Sequence, residues 1–194
     1  MKHGVTKRQI VAAADNLFYR QGYEHTSFSD ISSAVNITRG NLYHHFKAKD
    51  DILEAVIGER LRKTRETLGY WQTEGGTPQA RIECYLRSLL DNWSMIEGYG
   101  CPVGSFCTEL AKLEHSAHEN SVEIFALFRQ WLKSQFLALN TIEDPDALAL
   151  QALTWGQGVA SICNAFKDYQ FAVQEVQRMR NWLKALPVAS AIKQ

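Results

Sequence analysis

Arg39 and Asn41 stand on either side of Gly40, with Thr38 before them and Tyr43 and His44 after, in a chain of 194 residues. A guanidinium presents two parallel N–H donors to a flat acceptor edge such as that of guanine. A carboxamide both donates and accepts, which suits adenine or reaches a phosphate. The glycine lets a backbone come close to whatever is read. Such side chains discriminate only if a rigid element holds them together, so the flanking segments decide whether the cluster has meaning.

Those segments have the pattern of two short helices around a tight turn. Ser27 and Asp30 form an S-x-x-D capping box, so the first helix is expected after Ser27 with Phe28, Ile31 and Ala34 on its buried stripe. Asn36 falls where the chain must adopt positive φ, which Asn tolerates better than most residues. Thr38 caps the second helix, whose inward positions are Leu42 and Phe46. Arg39, Gly40, Asn41, Tyr43 and His44 are left near its N-terminus and on its outer face. In a helix-turn-helix that end enters the major groove of DNA.

The preceding helix, over Thr6 to Gln21, carries Ile10, Ala13, Ala14, Leu17 and Phe18 on one face, with Gln21 ending the same stripe. A fourth runs from about Lys49 to Tyr70, with Ile52, Leu53, Val56, Ile57 and Leu61 inward and Arg60, Arg62, Lys63 and Arg65 outward.

From Thr6 to Leu53 the chain closely resembles the N-terminal domain of TetR/AcrR-family transcriptional regulators. The residues that carry the resemblance are Leu17, Phe18, Gly22, Thr26, Ser27, Ile31, Val35, Gly40, Leu42, Tyr43, His45, Phe46, Lys49 and Leu53. Two positions depart from the family pattern: Asn36 stands where Gly is common, and Ala48 where a Ser usually caps the fourth helix, a loss of about 1 kcal/mol at that helix start. The resemblance implies phosphate contacts by Tyr43, His44 and Lys49, with Thr26, Ser27 and Thr38 as further backbone contacts that fix register without reading sequence.

A formal net charge of zero argues against nucleic-acid binding until its distribution is considered. Residues 1–49 hold Lys2, Lys7, Arg8, Arg20, Arg39, Lys47 and Lys49 against Asp15, Glu24 and Asp30, a net +4 that the remainder offsets with −4. The positive charge is thus concentrated on the candidate reading segment. No run of about 18 apolar residues and no secretion signal is legible, so a cytoplasmic protein without a membrane span is expected. Cysteines at 84, 101, 107 and 163 lack C-x-x-C spacing, and adjacent His44 and His45 point about 100° apart on a helix. Neither a metal nor another cofactor is expected, and no residue set has a catalytic signature.

Gly75, Gly76 and Pro78 mark the clearest break. Helical periodicity then covers Pro78 to Ile96, Pro102 to Leu113, Asn120 to Leu139, Asp146 to Phe166 and Val173 to Leu186. The expected fold is all-α with about nine helices: a three-helix DNA-binding domain over 1–48 and a helical ligand-binding and dimerisation domain over 49–194. The resemblance implies a ligand cavity in the second domain, for which Tyr85, Trp93, Phe106, Phe125, Phe128, Trp131 and Trp155 are the candidate lining residues, and a small apolar or aromatic effector. It also implies a homodimer through the last two helices, matched to a palindromic double-stranded operator. Ala147, Ala149, Ala152, Gly156, Gly158, Ala160 and Ala165 favour that close helix approach.

Gly100-Cys101-Pro102 reads as a helix start with Cys101 as N-cap, where the amide dipoles favour a thiolate. A sensor of electrophiles or oxidants built on Cys101 and Cys107 is therefore the alternative reading, against buried packing residues as the plainer one. An enzyme using Cys101 with Glu97, Glu109, His115 or His118 is the remote alternative. A DNA-binding protein with a filled, ligand-free second domain is a third.

Overall fold

The structure, a computed structural model, describes residues 6–187; Lys2, counted in the charge above, lies outside them. The helices are α1 (Lys7–Gln21), α2 (Phe28–Ala34), α3 (Arg39–His45), α4 (Lys49–Glu74), α5 (Pro78–Asp91), α6 (Trp93–Tyr99), α7 (Gly104–Lys112), α8 (His118–Ala138), α9 (Pro145–Phe166) and α10 (Tyr169–Ala185). The fold is all-α, as the periodicity requires. Nine helices become ten spans because the segment expected as one helix from Pro78 to Ile96 breaks at Asn92. There the backbone leaves helical geometry at φ −105° and ψ 19°, and the side chain donates to the Ser88 carbonyl at 2.7 Å.

By compactness the chain divides into a unit of residues up to Lys63 together with Pro102–Ile124, and a second of Thr64–Cys101 together with the chain from Phe125 onward. This differs from a cut at residue 48. The core of the first unit explains it: Ile10, Ala14, Phe18, Ile31, Leu42, Ile52, Leu53 and Val56 share one cluster with Phe106, Leu110 and Ala117. The first three helices lack the apolar surface for a core of their own, and α4 and α7 supply the rest.

The small corrections within this unit have local causes. On α1 Val11 is buried beside Ile10 and Gln21 is exposed, so the stripe ends at Phe18, about a turn earlier than expected. Ala34 is exposed because α2 ends there after seven residues, and Val35 and Ile37 in the turn pack on the core in its place. At Ala48 the reciprocal half of a capping box is made without an N-cap hydroxyl: Asp51 Oδ2 accepts the N–H groups of both Lys47 and Ala48 at 2.9 Å.

Arg60, expected to face outward, is buried. Its Nε donates to Asp15 Oδ1 at 2.6 Å and its Nη1 to the Pro102 carbonyl at 2.7 Å, while the guanidinium lies 4.2 Å from the centre of the Phe106 ring. A buried charge persists when paired and hydrogen-bonded in this way. Glu109 on α7 makes the complementary link. Its Oε2 accepts from Tyr23 N and its Oε1 from Glu24 N, both at 3.0 Å, at the end of α1. Gly22 permits it, with φ +89° and a position where a Cβ would lie 2.7 Å from Glu109 Oε1.

The second unit has two apolar clusters. Ile82, Leu86, Leu132, Phe136, Leu148, Ala152 and Leu183 join α5, α8, α9 and α10, and Leu89, Ile96, Val159, Cys163 and Val176 join α5, α6, α9 and α10.

Truncating the Glu109 side chain leaves two N–H groups without their acceptor. Glu109→Ala is expected to lower unfolding free energy by about 1–3 kcal/mol in urea titrations, with Glu109→Gln losing less because its amide oxygen still accepts.

Candidate nucleic-acid interface

Both caps of the helix-turn-helix are made as the residues dictate. Ser27 Oγ accepts from Asp30 N at 3.1 Å, and Asp30 Oδ2 accepts from Ser27 N at 2.8 Å. Thr38 Oγ1 accepts from Asn41 N at 3.2 Å. Asn36 sits at φ +54°, and the turn closes with Ile37 N donating to the Ser32 carbonyl at 3.0 Å. Leu42 is fully buried and Phe46 nearly so, and these two side chains fix which face of α3 points away from the core.

On that outer face Arg39, Gly40, Asn41 and His44 are exposed, with Ser27 and Thr38 exposed beside them. The two hydroxyls act as acceptors in their caps, which leaves each O–H proton for an outside acceptor such as a phosphate oxygen. Tyr43 is 45% exposed, and its ring stacks on Phe28 at 4.6 Å between centroids and 27° between planes, which orients the phenol without burying it.

Two expected contacts are differently engaged. Thr26 is buried and its hydroxyl donates to the Gly22 carbonyl at 2.6 Å; it closes the α1–α2 connection instead of facing outward. Lys49 is half-buried: Nζ donates to the Tyr23 carbonyl at 3.0 Å and lies 4.1 Å from the centre of the Tyr23 ring. Its charge is held at a fixed point, with two N–H bonds still to give.

Residues the sequence reading passed over complete the surface. Lys47 is exposed and its Nζ donates to the Tyr43 carbonyl at 2.9 Å, placing a cation at the end of α3. Tyr23 donates to Asp50 and packs edge-on against His115, with ring centroids 5.1 Å apart. Burial, then the bond to Asp50, pushes the Tyr23 phenol well above its ordinary value, so it stays a donor. Sequence offered no signal for the two Tyr23 pairs, since their members are 27 or more residues apart.

In the second unit Tyr85, Phe125, Phe128, Trp131 and Trp155 flank one core cluster. Trp93 belongs to the other cluster and meets Tyr169 edge-on at 5.2 Å. Phe106 does not join them: it is buried in the core of the first unit under Arg60. Trp71, not singled out from sequence, lies with Tyr85, Phe128 and Trp131. It falls three residues after buried Leu68, on a helix that continues past its expected end at Tyr70, and that spacing was the available signal. A separate cleft of about 330 Å³ is lined by Tyr70, Glu74, Gly75, Ala80, Glu83, Cys84, Arg87 and Arg180, none of them among the expected lining residues.

Cys101 is not a helix N-cap. α7 begins at Gly104 with Val103 in the cap position, and Cys101 and Pro102 precede it. Its Sγ accepts from Gln157 Nε2 at 3.3 Å. Cys107 is buried in the first unit and donates to the Ser121 carbonyl at 3.4 Å. Glu109 and His115, imagined with Cys101 in a catalytic set, are instead engaged around Tyr23.

An all-α chain whose N-terminal helices form a capped helix-turn-helix, with a basic and polar outer face on its second helix, defines a helix-turn-helix regulator. The family model described as "Bacterial regulatory proteins, tetR family" matches residues 10–56. The HTH-type transcriptional repressor DhaR of Mycobacterium sp. (strain GP1) is 24% identical over 128 residues, 66% of this chain and 62% of DhaR. The HTH-type transcriptional regulator LmrA of Bacillus subtilis (strain 168) is 26% identical over 139 residues, 69% of this chain and 74% of LmrA. A TetR transcriptional regulator from Legionella pneumophila shares the fold at a TM-score of 0.81 and 24% identity, covering 94% of this chain and 98% of that one. The helix-turn-helix segment is thus that of the TetR family, and the chain has the fold of TetR-family structures. No helix among the described residues is long and apolar enough to cross a membrane.

The capping box makes one pH prediction. Asp30 is held below the usual carboxylate value by the Ser27 backbone N–H and then by the Ser27 hydroxyl. A depressed folded value means the support it gives α2 is present above the unfolded value of about 3.9 and is lost as pH falls through the lower folded value. Carbon-13 titration of the Asp30 carboxyl should give that lowered midpoint, and Ser27→Ala should move it back up.

Proposed function

We propose that the protein is a dimeric transcriptional repressor that reads a palindromic operator through α3 and leaves it when a small effector occupies the second domain. The observation that carries this reading is the exposed constellation of Arg39, Gly40, Asn41, Tyr43 and His44 on a helix whose opposite side is locked by Leu42 and Phe46. Arg39 and Asn41 address base edges. Ser27, Thr38, Tyr43, His44, Lys47 and Lys49 address phosphates. Residues 1–48 serve as the DNA-binding domain and 49–194 as the ligand-binding and dimerisation domain, and the protein acts in the cytoplasm, where its operator is. No residue has a catalytic role.

The dimer is supported by α9. Leu150, Thr154, Gly158, Ile162 and Phe166 are all exposed and recur every four residues, with Ser161 exposed beside them and with Leu150 at 42%, Ile162 at 41% and Phe166 at 74% exposure. An apolar and small-residue stripe of this length on a 22-residue helix suits the same helix of a second copy. Effector release requires the effector to favour the arrangement in which two reading heads fit the operator poorly; tight binding alone shifts nothing.

Selection of genomic fragments by the purified protein tests the reading, and recovery of a palindromic site is the expected result. Arg39→Ala should weaken that site by about 1–3 kcal/mol and relax one base position, whereas Lys47→Ala should weaken all sequences alike and reduce the salt slope by about 1. Enrichment of no site would refute specific regulation. Ile162→Glu should convert the dimer to monomer in sedimentation velocity, because a carboxylate buried without a partner is costly.

A further inference from the structure

Four buried N–H groups have no acceptor among the described residues: Arg81 Nε, Trp131 Nε1, Trp155 Nε1 and Arg180 Nε. All four are donors, and all four lie in the second unit. A buried donor without an acceptor costs free energy and calls for an explanation, and a set of donors alone calls for an acceptor from outside.

Two of them share one place. Arg81 and Tyr85 are one turn apart on α5, and Trp131 and Gln135 one turn apart on α8. Arg81 Nη1 donates to Gln135 Oε1 at 3.5 Å, and Gln135 Nε2 donates to Gln72 Oε1 at 3.1 Å, next to Trp71. Trp71 in turn meets Trp131 at 5.6 Å and both Tyr85 and Phe128 at 6.4 Å between ring centroids. Four aromatic rings in mutual contact, one of them with an unused indole N–H, thus stand about one helical turn from a guanidinium. The Arg81 stem is pressed against the end of α4, where its Cγ lies 2.3 Å from the place a Cβ on Gly75 would take, so the guanidinium has little freedom to seek water. Among the described residues Arg81 has an amide partner and no carboxylate partner. A half-buried guanidinium in aromatic surroundings normally has one.

We propose, on the basis of the effector-released regulator above, that this corner is the effector site and that the effector is an aromatic carboxylate. Its ring packs among Trp71, Tyr85, Phe128 and Trp131, and its carboxylate accepts from Arg81 and from the Trp131 indole. Phenol donation by Tyr85 is already used on the Ala152 carbonyl, at 3.3 Å, so Tyr85 contributes its ring face and edge. Centroid separations of 5.6–6.4 Å are those of rings in mutual contact. A flat guest needs about 7 Å between the planes that sandwich it. The guest therefore takes the place of one host ring, and Trp71, partnered with the other three, is the one displaced. Trp71 is carried by α4, the helix that begins at Lys49 beside the reading head, so exchange of Trp71 for the guest acts on that helix directly.

The test uses the full-length protein and three pairs of probes that differ only in charge: benzoate and benzamide, phenylacetate and phenylacetamide, indole-3-acetate and indole-3-acetamide. Binding is read by calorimetry and tryptophan fluorescence, and operator binding is measured separately. At least one acid is expected to bind about tenfold or more tighter than its amide, the scale of one charge-assisted hydrogen bond. Arg81→Gln should remove that preference while leaving the apolar part of the affinity, and Arg81→Lys should keep some of it. Equal affinity of acids and amides, an unchanged preference in Arg81→Gln, or no binding of any acid at about 10 mM would each overturn the proposal. The acid-to-amide contrast on the unmodified protein stands even if the variants fold poorly. A protein that binds its operator but ignores the acids refutes this site alone, whereas one that binds the acids but no operator refutes the regulator reading alone.

Discussion

The carboxylate of Glu109 holds the end of α1, and the rest of the reading head depends on that contact. Tyr23 and Glu24 give it their backbone N–H groups, and Gly22 makes room for it by adopting positive φ. From that fixed corner the chain enters the α2 cap, and Tyr23 reaches Asp50 at the start of α4. Arg60 repeats the principle from the other side, joining Asp15 of α1 to the Pro102 carbonyl. Both links tie the N-terminal helices and α4 to a segment 85 or 42 residues away, which is why α7 belongs to the same core. Helices of seven residues have marginal stability on their own, and tertiary packing of this kind is what makes them rigid enough to read a groove.

Rigidity and recognition are divided between opposite sides of the same short helix. Leu42 and Phe46 take the inner side of α3, and Arg39, Asn41, Tyr43 and His44 the outer. The hydroxyls of Ser27 and Thr38 serve both purposes, accepting a cap hydrogen bond while keeping a proton for a partner. Polar groups with one hand in the fold and one in solvent hold register more closely than long flexible cations do. Lys47 and Lys49 show the same economy, since each ammonium is anchored on a backbone carbonyl and still carries its charge.

The second unit is organised differently. Its apolar clusters satisfy themselves, yet it keeps buried indole and guanidinium N–H groups that have no acceptor among the described residues, one of them on a ring of the contacting aromatic group. Stability is not maximised there, the pattern expected where a core doubles as a binding site. The exposed stripe of α9 is a second departure from a closed fold, and a partner copy would resolve it as a ligand would resolve the first.

Local rules determined much of this protein from sequence. The capping box at Ser27, the positive φ at Asn36, the cap at Thr38 and the inward Leu42 and Phe46 each depend on residues within four positions of one another, so pattern alone sufficed, and the outer face of α3 followed by exclusion. The tertiary structure decided whatever depends on residues far apart in the chain. It buried Arg60, which periodicity places outside, because Asp15 and Pro102 supply its partners. It turned Thr26 inward onto Gly22, withdrew Phe106 from the expected pocket into another core, and denied Cys101 a helix start. It also set Trp71 and Arg81 beside Trp131, from three different helices. Hydrogen bonds and ring contacts across tens of residues leave no period in the sequence, since each half satisfies its local rules with or without the other.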